Sequence, residues 1–269
     1  FDGHTVRDIT YQEAPYPILW VVRDDFKLLS CAYNPKLQVI AWHQHETEAD
    51  IHYVCSIPNG VEDAVFVSTA RAINGDPGNV LYSVERLMPL LDEDRDTAIR
   101  MDCSLTFTGV DVSTVYNLWP LENQVVKVVA DGAQLGDRTV LEGRIALDVP
   151  ADVIHVGLGY QGRLKTLPLT VQNRSTGAYG IGYDKNPTRA AFRVVQSAGI
   201  KVGPNLAQLT EPPPRLDEVL GDPPALRTET RVVTLHPGWQ IDSALYIVVD
   251  EPLPAKVLSM TVEMEVSGR

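Results

Sequence analysis

Short runs of β-branched and aromatic residues, each closed off by turn-forming residues, recur along this chain and leave few folds open to it. PILWVV (Pro17 to Val22), KLLSCAY (Lys27 to Tyr33) and LQVIAWHQH (Leu37 to His45) are separated by Arg23-Asp24-Asp25 and Asn34-Pro35-Lys36. IHYVCSI (Ile51 to Ile57), DAVFVSTAR (Asp63 to Arg71) and NVLYSVERL (Asn79 to Leu87) come next, with Pro58-Asn59-Gly60 and Asn74-Gly75-Asp76-Pro77-Gly78 between them. Branched and aromatic side chains suit a half-buried pleated surface, while Asn, Asp, Gly and Pro suit tight reversals. Strands joined by such short connections pair as antiparallel meanders, because parallel pairing needs a crossover of roughly a dozen residues or more. No window of about fifteen residues carries the helical period. The predicted fold class is all-β.

The first strands also repeat. VRDITYQ (Val6 to Gln12) followed by YPILWVV resembles IHYVCSI followed by EDAVFVS, at an offset near 45 residues. A period of roughly 40–45 residues with about four strands is the sequence mark of propeller blades. Residues 1–100 are therefore predicted as propeller-blade-like antiparallel meanders, with a boundary in the acidic stretch Leu90 to Asp102. Residues 101–269 are predicted as a β-sandwich or barrel-like domain. Its strands are read at Cys103–Gly109, Gln124–Gly132, Arg144–Val149, Asp152–Leu158, Leu164–Val171, Thr188–Ser197, Thr230–Leu235, Ala244–Asp250 and Ala255–Val266. The segment Glu211 to Pro224 is a proline-bounded loop with room for one helical turn at Leu216 to Leu220.

A chain of 269 residues can bury a sizeable core, and 44% hydrophobic with 22% charged residues is a globular balance. The net charge of -12 is opposite to what gripping phosphates requires, since such binding draws its affinity from Lys and Arg displacing counterions. No uncharged apolar stretch reaches the roughly 18 residues needed to span a bilayer. The N-terminus Phe1-Asp2-Gly3 reads as a cut, with further residues expected upstream. Cys31, Cys55 and Cys103 form no CxxC and lie in apolar runs, so all three are predicted as buried, reduced thiols suited to a reducing cytoplasm.

Candidate chemistry is sparse. Gly157-Leu158-Gly159-Tyr160-Gln161-Gly162 satisfies GxGxxG, but the motif needs a helix to start there and meet a pyrophosphate. The next segment, Arg163 to Pro168, reads as a strand, so the glycines are expected to shape a turn or bulge. His43 and His45 share a strand face and a neighbour could bring His52, yet no fourth ligand stands in phase, and a polar strand face is expected. His155 and His236 are read as structural. Asp92-Glu93-Asp94-Arg95-Asp96 lacks the glycine and closing glutamate of a calcium loop and reads as a solvated linker. GxSxG and HExxH are absent. No catalytic, cofactor-binding or metal-ligating residue is predicted, and the chain is read as non-enzymatic.

Five phrases in order carry a resemblance: Ile18 to Thr47, Ala72 to Leu87, Val115 to Gly132, Val153 to Leu169 and Asp250 to Val266. Together they resemble the C-terminal portion of phage tail nozzle proteins, also called tail tubular protein B-like or stabilisation proteins, of short-tailed phages. The likeness runs from Ile18 to Val266, with departures at Asp24-Asp25-Phe26, where a glycine is expected, and at Gly159, where Pro is commoner. Family members are longer, with further blades upstream. The resemblance implies a homo-oligomeric ring subunit of the virion tail, typically a hexamer, assembled in the host cytoplasm. Such a ring sits below the portal and adaptor, passes DNA through its lumen without sequence-specific contacts, and carries fibres or spikes outside. An acidic lumen would repel phosphate. Contacts are expected at Glu211 to Pro224, Asn74 to Gly78 and His43 to His52. The alternative is a receptor- or carbohydrate-binding module of a tail fibre or baseplate, which surface clustering of Trp20, Trp42, Trp119 and Trp239 would favour. A capsule depolymerase would need two carboxylates facing across a cleft.

Overall fold

Alternating apolar and polar side chains become strands whose one face is buried and whose other is not. The computed structural model describes residues 3–73, 76–88, 99–171, 182–213, 223 and 225–267. Strands β1 (Val6–Gln12), β2 (Ile18–Arg23), β3 (Leu28–Asn34) and β4 (Val39–His45) pair in chain order as an antiparallel sheet, sheet A. The Asn34 side chain accepts from the Leu37 amide at 3.2 Å and closes a one-turn 3-10 helix, Pro35–Leu37, that returns the chain into β4. Strands β5 (Asp50–Ile57), β6 (Ala64–Ile73) and β7 (Asp76–Arg86) form sheet B, again in chain order.

The sequence repeat is carried into the pairing register. Thr10 faces Trp20 and Tyr11 faces Leu19 in sheet A, while Cys55 faces Phe66 and Ser56 faces Val65 in sheet B. Each first strand bulges at the same place, between Val6 and Asp8 and between Ile51 and Tyr53. The first strands lie side by side, tied by side chains rather than a ladder. Asp8 Oδ2 accepts from the Val54 amide at 2.9 Å, Thr10 Oγ1 from the Ser56 amide at 3.2 Å, and Arg7 Nε donates to the His52 carbonyl at 3.1 Å. The two sheets then close over one core, with Trp20, Val22 and Leu28 from sheet A against Val54, Val65 and Val67 from sheet B. Inside it the Trp20 indole donates to Gln12 Oε1 at 3.0 Å, which lets a polar ring atom be buried at no loss.

A third sheet comes next, in the order β10-β9-β11-β8, from β8 (Asp102–Val115), β9 (Val125–Ala130), β10 (Ala133–Thr139) and β11 (Ile145–Leu158). Sequence reading divides β11 in two around Pro150 and passes over β10. In the structure a register shift between Ala146 and Ala151 absorbs the proline, so one long strand runs on. Strand β10 (AQLGDRT) lacks branched residues over most of its length and is placed by its turn, Asp131-Gly132, with both φ values positive (45 and 72).

Residues 161–269 form a second compact unit, the first being residues 1–160. The boundary expected near residue 100 therefore falls inside the first unit, where one sheet gives way to the next. The second unit contains β12 (Gly162–Lys165), β13 (Lys185–Val194), β14 (Ile200–Gly203), β15 (Thr230–Thr234), β16 (Tyr246–Val249) and β17 (Val257–Val266). Two three-stranded antiparallel sheets, β12-β16-β14 and β15-β13-β17, share a core of Phe192, Val194, Val202, Val233, Leu245 and Ile247. The fold is all-β, built of antiparallel sheets, and among the described residues no barrel closes. Residues 89–98 of the acidic stretch, and the helical turn expected at Leu216 to Leu220, lie outside the described residues. No helix among the described residues is long and apolar enough to cross a membrane.

Candidate interaction surfaces

Period-2 alternation sorts each blade-like sheet into two faces, and only one face of each is used in the contact between them. The face of sheet A against sheet B carries Trp20, Val22 and Leu28. Its opposite face presents Ile9, Tyr11, Tyr33, Ile40 and Trp42 to solvent. The smaller Val21 and Cys31, paired across strands with Ile9 and Leu29 and with Leu19 and Trp42, are buried there between larger neighbours. Sheet B faces sheet A with Val54, Val65 and Val67. Its outer face exposes Tyr53, Ile57, Tyr82 and Val84, the last two 74% and 75% exposed. Exposed apolar side chains grouped on one sheet face call for an explanation in a way that scattered ones do not. The edge strand β4 adds to the exposed group, since every residue from Val39 to Gln44 is exposed.

The contact segments expected from sequence fare differently. Of the segment His43 to His52, His43 and Gln44 are exposed on the edge strand of sheet A, whereas Ala49 and Ile51 are buried. Residues 74–75 of the Asn74 to Gly78 turn lie outside the described residues, and Asp76 Oδ1 accepts from the Gly78 amide at 2.9 Å. Of the proline loop, residues 214–222 and 224 lie outside the described residues. At its start, burial and the neighbouring Glu251 carboxylate push the Glu211 carboxyl up, while Lys201 Nζ holds Asp250 at 2.7 and 2.8 Å.

The cysteine expectation is corrected. Cys31 is buried, Cys103 is half-buried and Cys55 is exposed, because β5 turns it to the outer face of sheet B. An apolar run fixes a strand but not which alternate residues face inward. Burial also pushes the Cys103 thiol up to about 11. Cys55 is therefore expected to react with a maleimide at pH 7.5 at least about tenfold faster than the other two. Mass mapping of a partial labelling checks this.

His43 and His45 do share a face, edge to face with ring centroids 4.7 Å apart. His45 packs on Trp20 at 5.1 Å, and its Nε2 lies 2.9 Å from Ser30 Oγ. His52 goes elsewhere, stacking on Phe26 at 4.6 Å beside Arg7. Burial, then the nearby His43, lowers the His45 pKa from 6.5 to about 4. The native state binds fewer protons than the unfolded chain between those values, so stability falls as pH drops from about 6.5 to about 4. Thermal melts across that window are expected to show the decline, and His45→Leu to flatten it.

Among the described residues the one group with three ligand-type atoms within 4.8 Å is His4, Asp24 and Asp25, at the first turn. Its carboxylates are already taken. Asp24 accepts from the Thr5 hydroxyl at 2.8 Å and the Thr5 amide at 3.0 Å and meets His4 at 2.8 Å, which together lower its pKa to about 2. Asp25 is paired with Arg23. The cluster staples a turn in which Phe26 holds φ of 62, the left-handed conformation that explains why a glycine is expected at this turn. His52 and the Arg7 guanidinium, 5.0 Å from the ring, pack on Phe26 and hold it there.

A buried ionic network joins sheet B to β8. Arg71, 5% exposed, donates to Asp102 at 3.2 and 3.0 Å from its two terminal nitrogens, and Thr47 donates to the same carboxylate at 2.6 Å. Glu85 stands 3.9 Å from Arg71 and accepts from Thr69 and Ser83. Arg71 Nε is buried with no hydrogen-bond partner. Apart from that nitrogen, the network is held by hydrogen bonds among protein groups of β6, β7 and β8 and Thr47.

The GxGxxG run leads into strand β12, not a helix. Gly157 is required by contact: a Cβ there would lie 2.9 Å from Met101 Cβ and 3.0 Å from the Asp102 carbonyl oxygen. His155 is buried against Thr106 at 2.8 Å, and His236 is exposed. Trp20 is buried, whereas Trp42, Trp119 and Trp239 are at least half exposed. Trp119 lies over Gly143, where a Cβ would come within 2.6 Å of its ring. Comparison with models of known protein families and with curated proteins finds no match.

Proposed function

We propose that this chain is a structural subunit of a phage virion tail, of the nozzle or tail tubular type, that works by contact rather than catalysis. The observation that carries this reading is the pair of blade-like sheets whose unused faces present large apolar side chains to solvent. A scaffold of this kind is suited to extended interfaces with neighbours. The resemblance of five ordered phrases between Ile18 and Val266 supports the specific setting, and the net charge of -12 suits a lumen through which DNA must slide without sticking. In this reading the chain forms a six-fold ring below the portal and adaptor, is assembled in the host cytoplasm, and carries fibres or spikes on its outside. Gold-labelled antibody against this chain, applied to virions of the phage that encodes it, is expected to mark the tail axis. Label on fibre tips, or no virion label, would overturn the reading.

A second reading, a carbohydrate-binding module, draws on the exposed rings of Trp42, Trp119 and Trp239, because sugars stack on exposed aromatics. It expects host polysaccharide to shift tryptophan fluorescence saturably.

A further inference from the structure

Sheets A and B obey one repeat, and the repeat specifies what belongs on the faces they leave open. At the shared offset Val54 stands where Ile9 does, and Val65 and Val67 stand where Leu19 and Val21 do, with matching cross-strand partners. Those three sheet B residues form the surface on which Trp20 of sheet A packs. The far face of sheet A thus has the same apolar pattern as a surface already selected in this fold to receive a blade. On the outer face of sheet B, Phe66 occupies the Trp20 position. In the ladders to the third strands, Val84 faces Ser68 as Leu28 faces Val22.

We infer that the outer face of sheet B packs on the far face of sheet A of a second copy of the chain, in the same way that sheet A packs on sheet B within one copy. Phe66 and Val84 of one copy cover Ile9 and Leu19 of the next, continuing the A–B stacking across the molecular boundary. The two open faces lie on opposite sides of the stacked pair and carry patterns that match one another, so each can receive its counterpart from a second copy. The contact is heterologous: each copy offers one face of each kind, and the array closes into a ring when the rotation per copy permits, or extends when it does not. The inference rests on the ring-subunit reading and adds the surface and the direction of assembly.

The test uses the whole 269-residue chain and two exposed substitutions, Val84→Arg on the outer face of sheet B and Ile9→Arg on the far face of sheet A. Sedimentation velocity of the wild type is expected to show species larger than a monomer. Each variant alone is expected to be a folded monomer by circular dichroism and sedimentation, with association weakened at least about thirtyfold, as for loss of a central contact. An equimolar mixture of the two is expected to form dimers and nothing larger, because one intact face of each kind remains. Assembly unchanged in both variants removes this interface and leaves the ring reading standing. A wild type that is monomeric at every concentration removes both. Two monomeric variants that stay monomeric when mixed overturn the pairing of these faces.

Discussion

Trp20→Ala is expected to destabilise the first unit by about 3–5 kcal/mol, the cost typical of emptying a fully packed aromatic site. Trp20 is the largest side chain in the core between sheets A and B, with 6% of its surface exposed. Its loss leaves a cavity bounded by β-branched side chains on both sheets, and rigid strands cannot collapse far enough to fill it. The Gln12 side chain, itself buried, also loses its indole donor. Trp20→Phe keeps most of the volume and is expected to cost less than half as much. Urea unfolding followed by amide exchange in β2 and β6 reports on this unit separately from the second. A loss under about 1 kcal/mol would mean that the two sheets are not packed through this residue.

Arg71→Met is expected to cost about 3–5 kcal/mol as well, for an electrostatic reason. Removing one member of a buried pair leaves the other charge without compensation, which is more costly than removing both. Asp102 would keep the Thr47 hydroxyl but lose two charge-assisted bonds. The double variant Arg71→Met, Asp102→Leu is therefore expected to be more stable than Arg71→Met alone, and the coupling between the two positions to be well above the few tenths of a kcal/mol found for distant sites. Amide exchange at the start of β8 and in β6 tracks the loss, because the pair joins those strands. Equal stability of single and double variants would show that solvent screens the pair.

Much of this architecture is legible from side-chain periodicity and turn chemistry. The first seven strands can be read from their branched runs, and the 45-residue repeat reappears in the register down to the position of the bulge. The elements that sequence reading passes over are those whose placement is not local. Strand β10 has the composition of a loop and is held by its Asp131-Gly132 turn, a signal that was present to be read. Strand β14 is four residues long, too short for an alternation to register. The long β11 hides behind Pro150 because a bulge, a property of the pair, absorbs the proline.

The interaction surfaces are less legible than the strands. In β2, Trp20, Val21 and Val22 are all buried, so the run is apolar on both faces and gives no direction. Only the packing of sheet A on sheet B shows which face is already occupied. Cys55 illustrates the same limit: its neighbours mark a strand, and its exposure follows from a choice of face made by Val54 and Val67 packing on sheet A. The Arg71 network joins residues far apart in sequence, so no spacing announces it.

Negative-stain images of the purified chain bear most directly on whether its work is to build an assembly. Class averages are expected to show closed rings of identical subunits around a central hole. Isolated particles of one-chain size at concentrations where the wild type should associate would contradict the account.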